Sequence, residues 1–118
     1  METRICYSTD LYAESRHYYE SVLGWTVYSE WDRSLTDKGV IYLAGTALLE
    51  ILFCPPDQAT RFENSLYLYL EVADLDDIHT ALEKSGHAVS ALQVKPWGHT
   101  SFITHDPAGL KLSFFKKS

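Results

Sequence analysis

The 118-residue chain has little sulfur: one methionine and two cysteines, Cys6 and Cys54. The cysteines are far apart and lack CxxC spacing, which excludes a zinc ribbon or a disulfide scaffold and suits a reducing cytoplasm. No apolar run is long enough to cross a bilayer, and the opening METRICYSTD lacks the apolar core of a signal peptide. The expectation is a cytoplasmic protein without a membrane partner. Positive charge is also scarce, with ten Lys and Arg against sixteen Asp and Glu and a formal net charge of -6. A nucleic-acid partner needs a basic footprint, so that class is excluded, and the acidic balance mildly favours a neutral or cationic ligand. There is no GxSxG nucleophile elbow and no glycine-rich phosphate loop, which removes hydrolases and kinases.

What the chain does have is apolar and aromatic mass. Hydrophobic residues make up 46%, and aromatics make up 14%, with eight Tyr and three Trp. That is enough for one compact domain over residues 1–118. The segment Lys95–Phe115 is the most readable. Pro96-Trp97-Gly98 places an aromatic on a bend, and Asp106-Pro107-Ala108-Gly109 is a tight turn between two strands. After it, Leu110, Leu112 and Phe114 alternate with Lys111, Ser113 and Phe115.

The chain repeats itself. Tyr7-Ser8-Thr9-Asp10-Leu11 and Glu71-Val72-Ala73-Asp74-Leu75 each lead into a helical pattern, and Ala44-Gly45 and Ala108-Gly109 each open an apolar strand. Each half reads as strand, helix and three strands, so two similar modules are expected, at about 1–57 and 65–118. In the first, strands are expected at Thr3–Ser8, Trp25–Trp31, Gly39–Leu43 and Ala47–Phe53, with a polar loop over Asp32–Lys38. Asp10 is the expected N-cap, Gly24 the helix stop, and Leu11, Ser15, Tyr18, Tyr19 and Val22 the inward face. In the second, strands are expected at Ser65–Glu71, His87–Gln93, His99–His105 and Leu110–Lys116. There Asp74 caps the helix, Gly86 ends it, and Leu75, Ile78, Ala81 and Leu82 face inward. Gln58–Asn64 links the halves.

Strand alternation assigns faces. The rows Leu66/Leu68/Leu70, Leu110/Leu112/Phe114 and Ala47/Leu49/Ile51/Phe53 cover the helices. The opposite rows, Tyr67/Tyr69/Glu71, Lys111/Ser113/Phe115 and Leu48/Glu50/Leu52, are mixed aromatic and polar, as a ligand cavity or a second packing face requires. Glu50 interrupts an apolar run, so it needs a hydrogen-bond donor such as the Tyr67 hydroxyl, or serves as a hook for a cationic ligand group. Trp25, directly after Leu23-Gly24, is expected in the core. His17 and His79 are expected on exposed helix positions, and His99 beside the cavity.

The tandem βαβββ order, Tyr18-Tyr19 before Leu23-Gly24-Trp25, and the PWG…DPAG segment resemble the vicinal oxygen chelate superfamily, which includes glyoxalase I, bleomycin-resistance proteins and extradiol dioxygenases. The bleomycin-resistance type is the nearest in layout. The resemblance covers nearly the whole chain. It implies an α+β fold of two βαβββ modules with curved mixed sheets enclosing a cavity, often completed in a homodimer. Enzymes of that family hold a metal at four positions, which match Thr3, Glu50, Tyr67 and Ser113 here. Only Glu50 offers the usual His or Glu chemistry. One carboxylate, a phenol and two hydroxyls hold a divalent ion weakly at neutral pH, because a phenol ionises only near pH 10. The residues lean away from an enzyme, and the expectation is therefore a cofactor-free protein that binds an aromatic or cationic small molecule, such as a drug or metabolite it sequesters. Tyr7, Glu50, Tyr67, Tyr69, Trp97, His99, Ser113 and Phe115 are its expected contacts. The alternative is a metal-dependent lyase or dioxygenase.

Overall fold

A computed structural model describes residues 1–63 and 66–118. The linker end at Asn64 and the strand start expected at Ser65 lie outside the described residues. The chain divides into two compact units, Met1–Arg61 and Phe62–Ser118.

The first unit runs β1 (Arg4–Thr9), α1 (Tyr12–Arg16) continuing as a π-helical stretch (His17–Val22), β2 (Val27–Ser34), β3 (Asp37–Ala44) and β4 (Ala47–Phe53). Its sheet has the order β1-β4-β3-β2, with β1 parallel to β4 and the other pairs antiparallel. Leu11, not Asp10, takes the N-cap position, and the Thr9 hydroxyl accepts the Leu11 N–H at 3.0 Å.

The inward helical face differs from a regular 3.6-residue reading. Leu11 is exposed, Tyr12 takes its place, and consecutive Tyr18 and Tyr19 are both 0% exposed. The Leu23 N–H reaches the Tyr18 carbonyl at 3.0 Å, and this five-residue step widens the helix so that neighbouring residues share the buried side. Tyr19 packs on Trp25 at 4.8 Å and on Tyr42 at 5.4 Å between centroids, so Trp25 belongs to this aromatic core.

The polar stretch expected as a loop is mostly strand. β2 extends to Ser34 and β3 begins at Asp37. β2 is an edge strand, where polar residues and bulges are the normal protection against unwanted pairing. An irregularity between Val27 and Ser29 also breaks the alternation expected from Trp25 to Trp31. The Trp31 indole lies against Gly39, where a Cβ would collide with the ring.

The second unit runs β5 (Tyr67–Glu71), α2 (Leu75–Lys84), β6 (Gln93–Val94), β7 (His99–His105) and β8 (Lys111–Lys117). Its sheet repeats the first order as β5-β8-β7-β6, with β5 parallel to β8. Asp74 takes the N-cap position of α2 without a side-chain cap bond, and Gly86 follows the helix at φ +83°. Leu75, Leu82, Phe102, Leu110, Leu112 and Phe114 form its buried core. Leu66, expected in that row, is exposed and precedes the strand.

The strand expected at His87–Gln93 shrinks to two residues and a bridge from Val89 to Thr104. Side chains tie this segment down instead of a ladder. The Ser90 hydroxyl accepts the Ile103 N–H at 2.8 Å, and a His79 ring nitrogen lies 2.9 Å from the Ser90 carbonyl. His79 therefore is packed rather than free on the helix surface, with its ring edge-on to Phe102 at 4.9 Å. The turn before β8 forms as expected. The Asp106 carboxylate accepts the Leu110 N–H at 2.9 Å, and Gly109 sits at φ +102°.

Candidate ligand-binding groove

Register decides which side chains share a face. In the first unit Tyr7 lies opposite Ile51 on the helix side and is 3% exposed. The expectation that Tyr7 lines a cavity with Glu50 is therefore corrected: the strand is one residue out of phase with that reading, and Tyr7 is core. Arg4, Cys6 and Ser8 occupy the other face, with Cys6 opposite Glu50 and Ile41 on Glu50's other side.

Glu50 finds its donor on that face. Arg4 Nη1 donates to Glu50 Oε1 at 2.8 Å, while its Nε and Nη2 donate to Glu2 Oε1. The Glu50 side chain is 15% exposed. Its partner is thus a guanidinium from the neighbouring strand. A guanidinium fork meets a carboxylate with both charge and geometry. The hook expected for a cationic ligand is already engaged. Burial, followed by the nearby Glu50 charge, pushes the Cys6 thiol above its ordinary pKa, so the thiolate is disfavoured there.

The second unit presents a different face. Tyr67, Tyr69 and Glu71 of β5 lie beside Lys111, Ser113 and Phe115 of β8, and Ser101 and Ile103 of β7 continue the row. Three rings stack across the strands. Phe115 is 4.2 Å from Tyr69 and 4.4 Å from His99 between centroids, with interplanar angles of 12° and 15°. Tyr69 Oη and His99 Nδ1 are 2.9 Å apart.

Beside this stack lies a groove of about 170 Å³ whose lining includes Tyr67, Tyr69, Trp97, Ser101, Lys111 and Ser113. Trp97 stands on the bend closed by the Gly98 N–H to the Lys95 carbonyl at 2.9 Å. It is 63% exposed, and Tyr67 is 53% exposed. Lys111 Nζ sits 4.8 Å above the Tyr67 ring.

Of the residues expected at the site, Tyr67, Tyr69, Trp97 and Ser113 line this groove, while His99 and Phe115 back it through the stack. Glu50 belongs to the first unit's face and Tyr7 to its core. Lys111 lies in the row that alternation assigns to it, and its role emerges only with the groove. Arg4 is a further functional residue, which alternation from Cys6 places on the face of Glu50.

The four positions that hold metal in related enzymes do not fit that task here. The first-to-last strand pairs of the two sheets match at a shift of 63 positions, since Cys6 pairs with Glu50 as Tyr69 pairs with Ser113. By that register the counterpart of Tyr67 is Arg4, not Thr3, which lies exposed ahead of β1. A guanidinium already bonded to the one available carboxylate repels a divalent cation. Among the described residues no three His, Cys, Asp or Glu side chains cluster as metal ligands.

The family described as the Glyoxalase/Bleomycin resistance protein/Dioxygenase superfamily matches residues 3–114. The chain belongs to that superfamily. It is 30% identical over 113 residues to the uncharacterized protein YaeR of Escherichia coli (strain K12), covering 90% of this chain and 88% of that one. The structure of TnmS3, an antibiotic binding protein from Streptomyces sp. CB03234, aligns with a TM-score of 0.78 at 17% identity, covering 100% of this chain and 95% of that one. Lactoylglutathione lyase from Agrobacterium tumefaciens aligns with a TM-score of 0.68 at 16% identity, covering 98% of this chain and 92% of that one. At such identities the likeness is one of fold. A fold that serves both a binder and a lyase leaves the choice to the site's own chemistry.

Proposed function

We propose that this superfamily member is a metal-independent binding protein that sequesters a small planar aromatic molecule in the groove of its second unit. The observation that carries the reading is the combination of stacked and exposed rings there. Tyr69, Phe115 and His99 are already aligned in near-parallel planes, and Trp97 and Tyr67 stand uncovered at the groove. Aligned rings offer a flat wall for a planar ligand at small ordering cost, each stacking contact being worth about 1 kcal/mol. The antibiotic-binding activity of TnmS3 agrees with such a use of the fold. The Arg4–Glu50 pair supports metal independence, since the carboxylate that would anchor a metal is held by a fixed cation.

The test is a fluorescence titration of purified protein with a planar aromatic compound. Quenching of Trp97 emission is expected, and Trp97→Phe should remove that signal while Trp25 and Trp31 still emit. Elemental analysis of protein purified without chelator is expected to find no stoichiometric metal. One metal per subunit with no quenching would overturn the proposal. The reading also keeps the homodimer anticipated for the family, which sedimentation velocity would check.

A further inference from the structure

Resting on the aromatic reading just given, we infer that the groove's ligand carries a negative charge: an aromatic carboxylate whose ring lies among Tyr67, Tyr69 and Trp97 and whose acid group meets Lys111. This runs against the chain's overall charge and against the cationic ligand suggested by its composition. The charge is not evenly placed. Asp74, Asp76, Asp77 and Glu83 sit on or beside α2, whose residues Leu75 and Leu82 are buried and whose His79 packs on Phe102. Phe102 and Lys111 are on opposite faces of the sheet, because Phe102 pairs with Phe114 while Lys111 alternates with it. These four acids thus ride on the helix side, while Glu71, in the groove-side row, is paired with Lys117.

None of the groove's lining residues is acidic, and two are lysines, Lys95 and Lys111. The two differ in availability. Lys95 Nζ donates to Gln93 Oε1 at 2.8 Å. Among the described residues Lys111 Nζ has the Tyr67 ring face at 4.8 Å and no ion-pair partner, since Glu71 is engaged with Lys117 at 3.7 Å. A cation over a ring face in the groove, with Ser101 and Ser113 in the same lining, is arranged for a carboxylate attached to a flat ring. A cationic ligand would instead place its charge against Lys111 with no acid in the groove's lining to offset it.

The experiment compares 2-naphthoate, 2-naphthamide and 2-naphthylmethylammonium as probes of one ring system with three charges, read by Trp97 quenching. Naphthoate is expected to bind about fivefold tighter than the amide, the upper end of what one solvent-exposed charge pair gives, with the ratio shrinking as salt rises. Lys111→Gln should bring the ratio of naphthoate to amide affinity to about one, while Lys95→Gln should reduce it less. Circular dichroism of both variants checks that the sheet is intact. Equal affinity for all three probes, preference for the ammonium, or loss of the ratio in Lys95→Gln rather than Lys111→Gln would overturn the anionic inference while leaving the aromatic groove standing. Failure of all three probes to quench would overturn both.

Discussion

The two units share a strand order and a parallel first-to-last pairing, yet the faces of their sheets turned away from the helices have opposite characters. At matched register the first unit carries Arg4, Cys6 and Glu50 where the second carries Tyr67, Tyr69 and Ser113. The first face satisfies itself: a carboxylate meets a guanidinium at 2.8 Å. The second keeps the Tyr67, Tyr69 and Trp97 rings exposed and holds a half-buried lysine over Tyr67. The cores differ as well. One is aromatic, built on a widened helix, and the other is built mainly from leucine and phenylalanine under a regular ten-residue helix. A backbone repeat therefore fixes where side chains point and leaves their chemistry free to diverge.

The largest expected effect is in the cores. Tyr19→Ala removes a fully buried ring that contacts Trp25 and Tyr42, and should cost about 4 kcal/mol; Leu82→Ala, in the second unit, should cost about 3 kcal/mol. Urea denaturation measures both. A Tyr19→Ala loss smaller than that of Leu82→Ala would mean that the widened helix collapses onto the gap.

Next in size is the ion network of the first unit, which has no counterpart among the described residues of the second. Glu20 Oε2 accepts from Arg16 Nε at 2.7 Å and from the Tyr42 hydroxyl at 2.6 Å, joining helix to sheet. The Arg16 bond first, then the Tyr42 bond, holds the Glu20 carboxyl below its ordinary pKa. A depressed carboxyl pKa stabilises the fold above the unfolded-state value, and that stability is lost as pH falls through the folded-state value. Glu20→Gln should therefore cost about 2 kcal/mol at neutral pH, and the gap to wild type should close on acidification below about pH 4.3. A gap that is constant with pH would show that the charge is irrelevant.

The faces of β5 and β8 were legible because every second residue is plainly apolar and the Asp106–Gly109 turn fixes the phase. The position of α2 was legible from Asp74 and Gly86. β1 was harder to read: Ile5/Tyr7/Thr9 and Arg4/Cys6/Ser8 are both mixed rows, so alternation alone could not say which was buried. The π-helical step was hidden because buried Tyr18 and Tyr19 read as part of an ordinary helical face. β6 was over-read because Val89 and Ser90 reach β7 through one bridge and one hydroxyl, which a residue pattern does not reveal. The Arg4–Glu50 contact spans 46 positions, and only the parallel register of β1 and β4 exposes it.

Smaller effects sharpen the contrast between the faces. Phe115→Ala takes out the central ring of the stack and should weaken an aromatic ligand about tenfold, roughly 1.4 kcal/mol, in the same titration. The smallest effect belongs to Glu50→Gln. It should change stability by less than about 1 kcal/mol and leave aromatic affinity alone. A tenfold loss of affinity there would move the site to the first unit.

Most direct of all is a backbone amide NMR titration of the intact chain with 2-naphthoate. The shifted resonances are expected to be those of Tyr67, Tyr69, Trp97, Ser101, Lys111 and Ser113, with Arg4, Cys6 and Glu50 unmoved. Shifts centred on Arg4 and Glu50, with the second unit's groove silent, would contradict it.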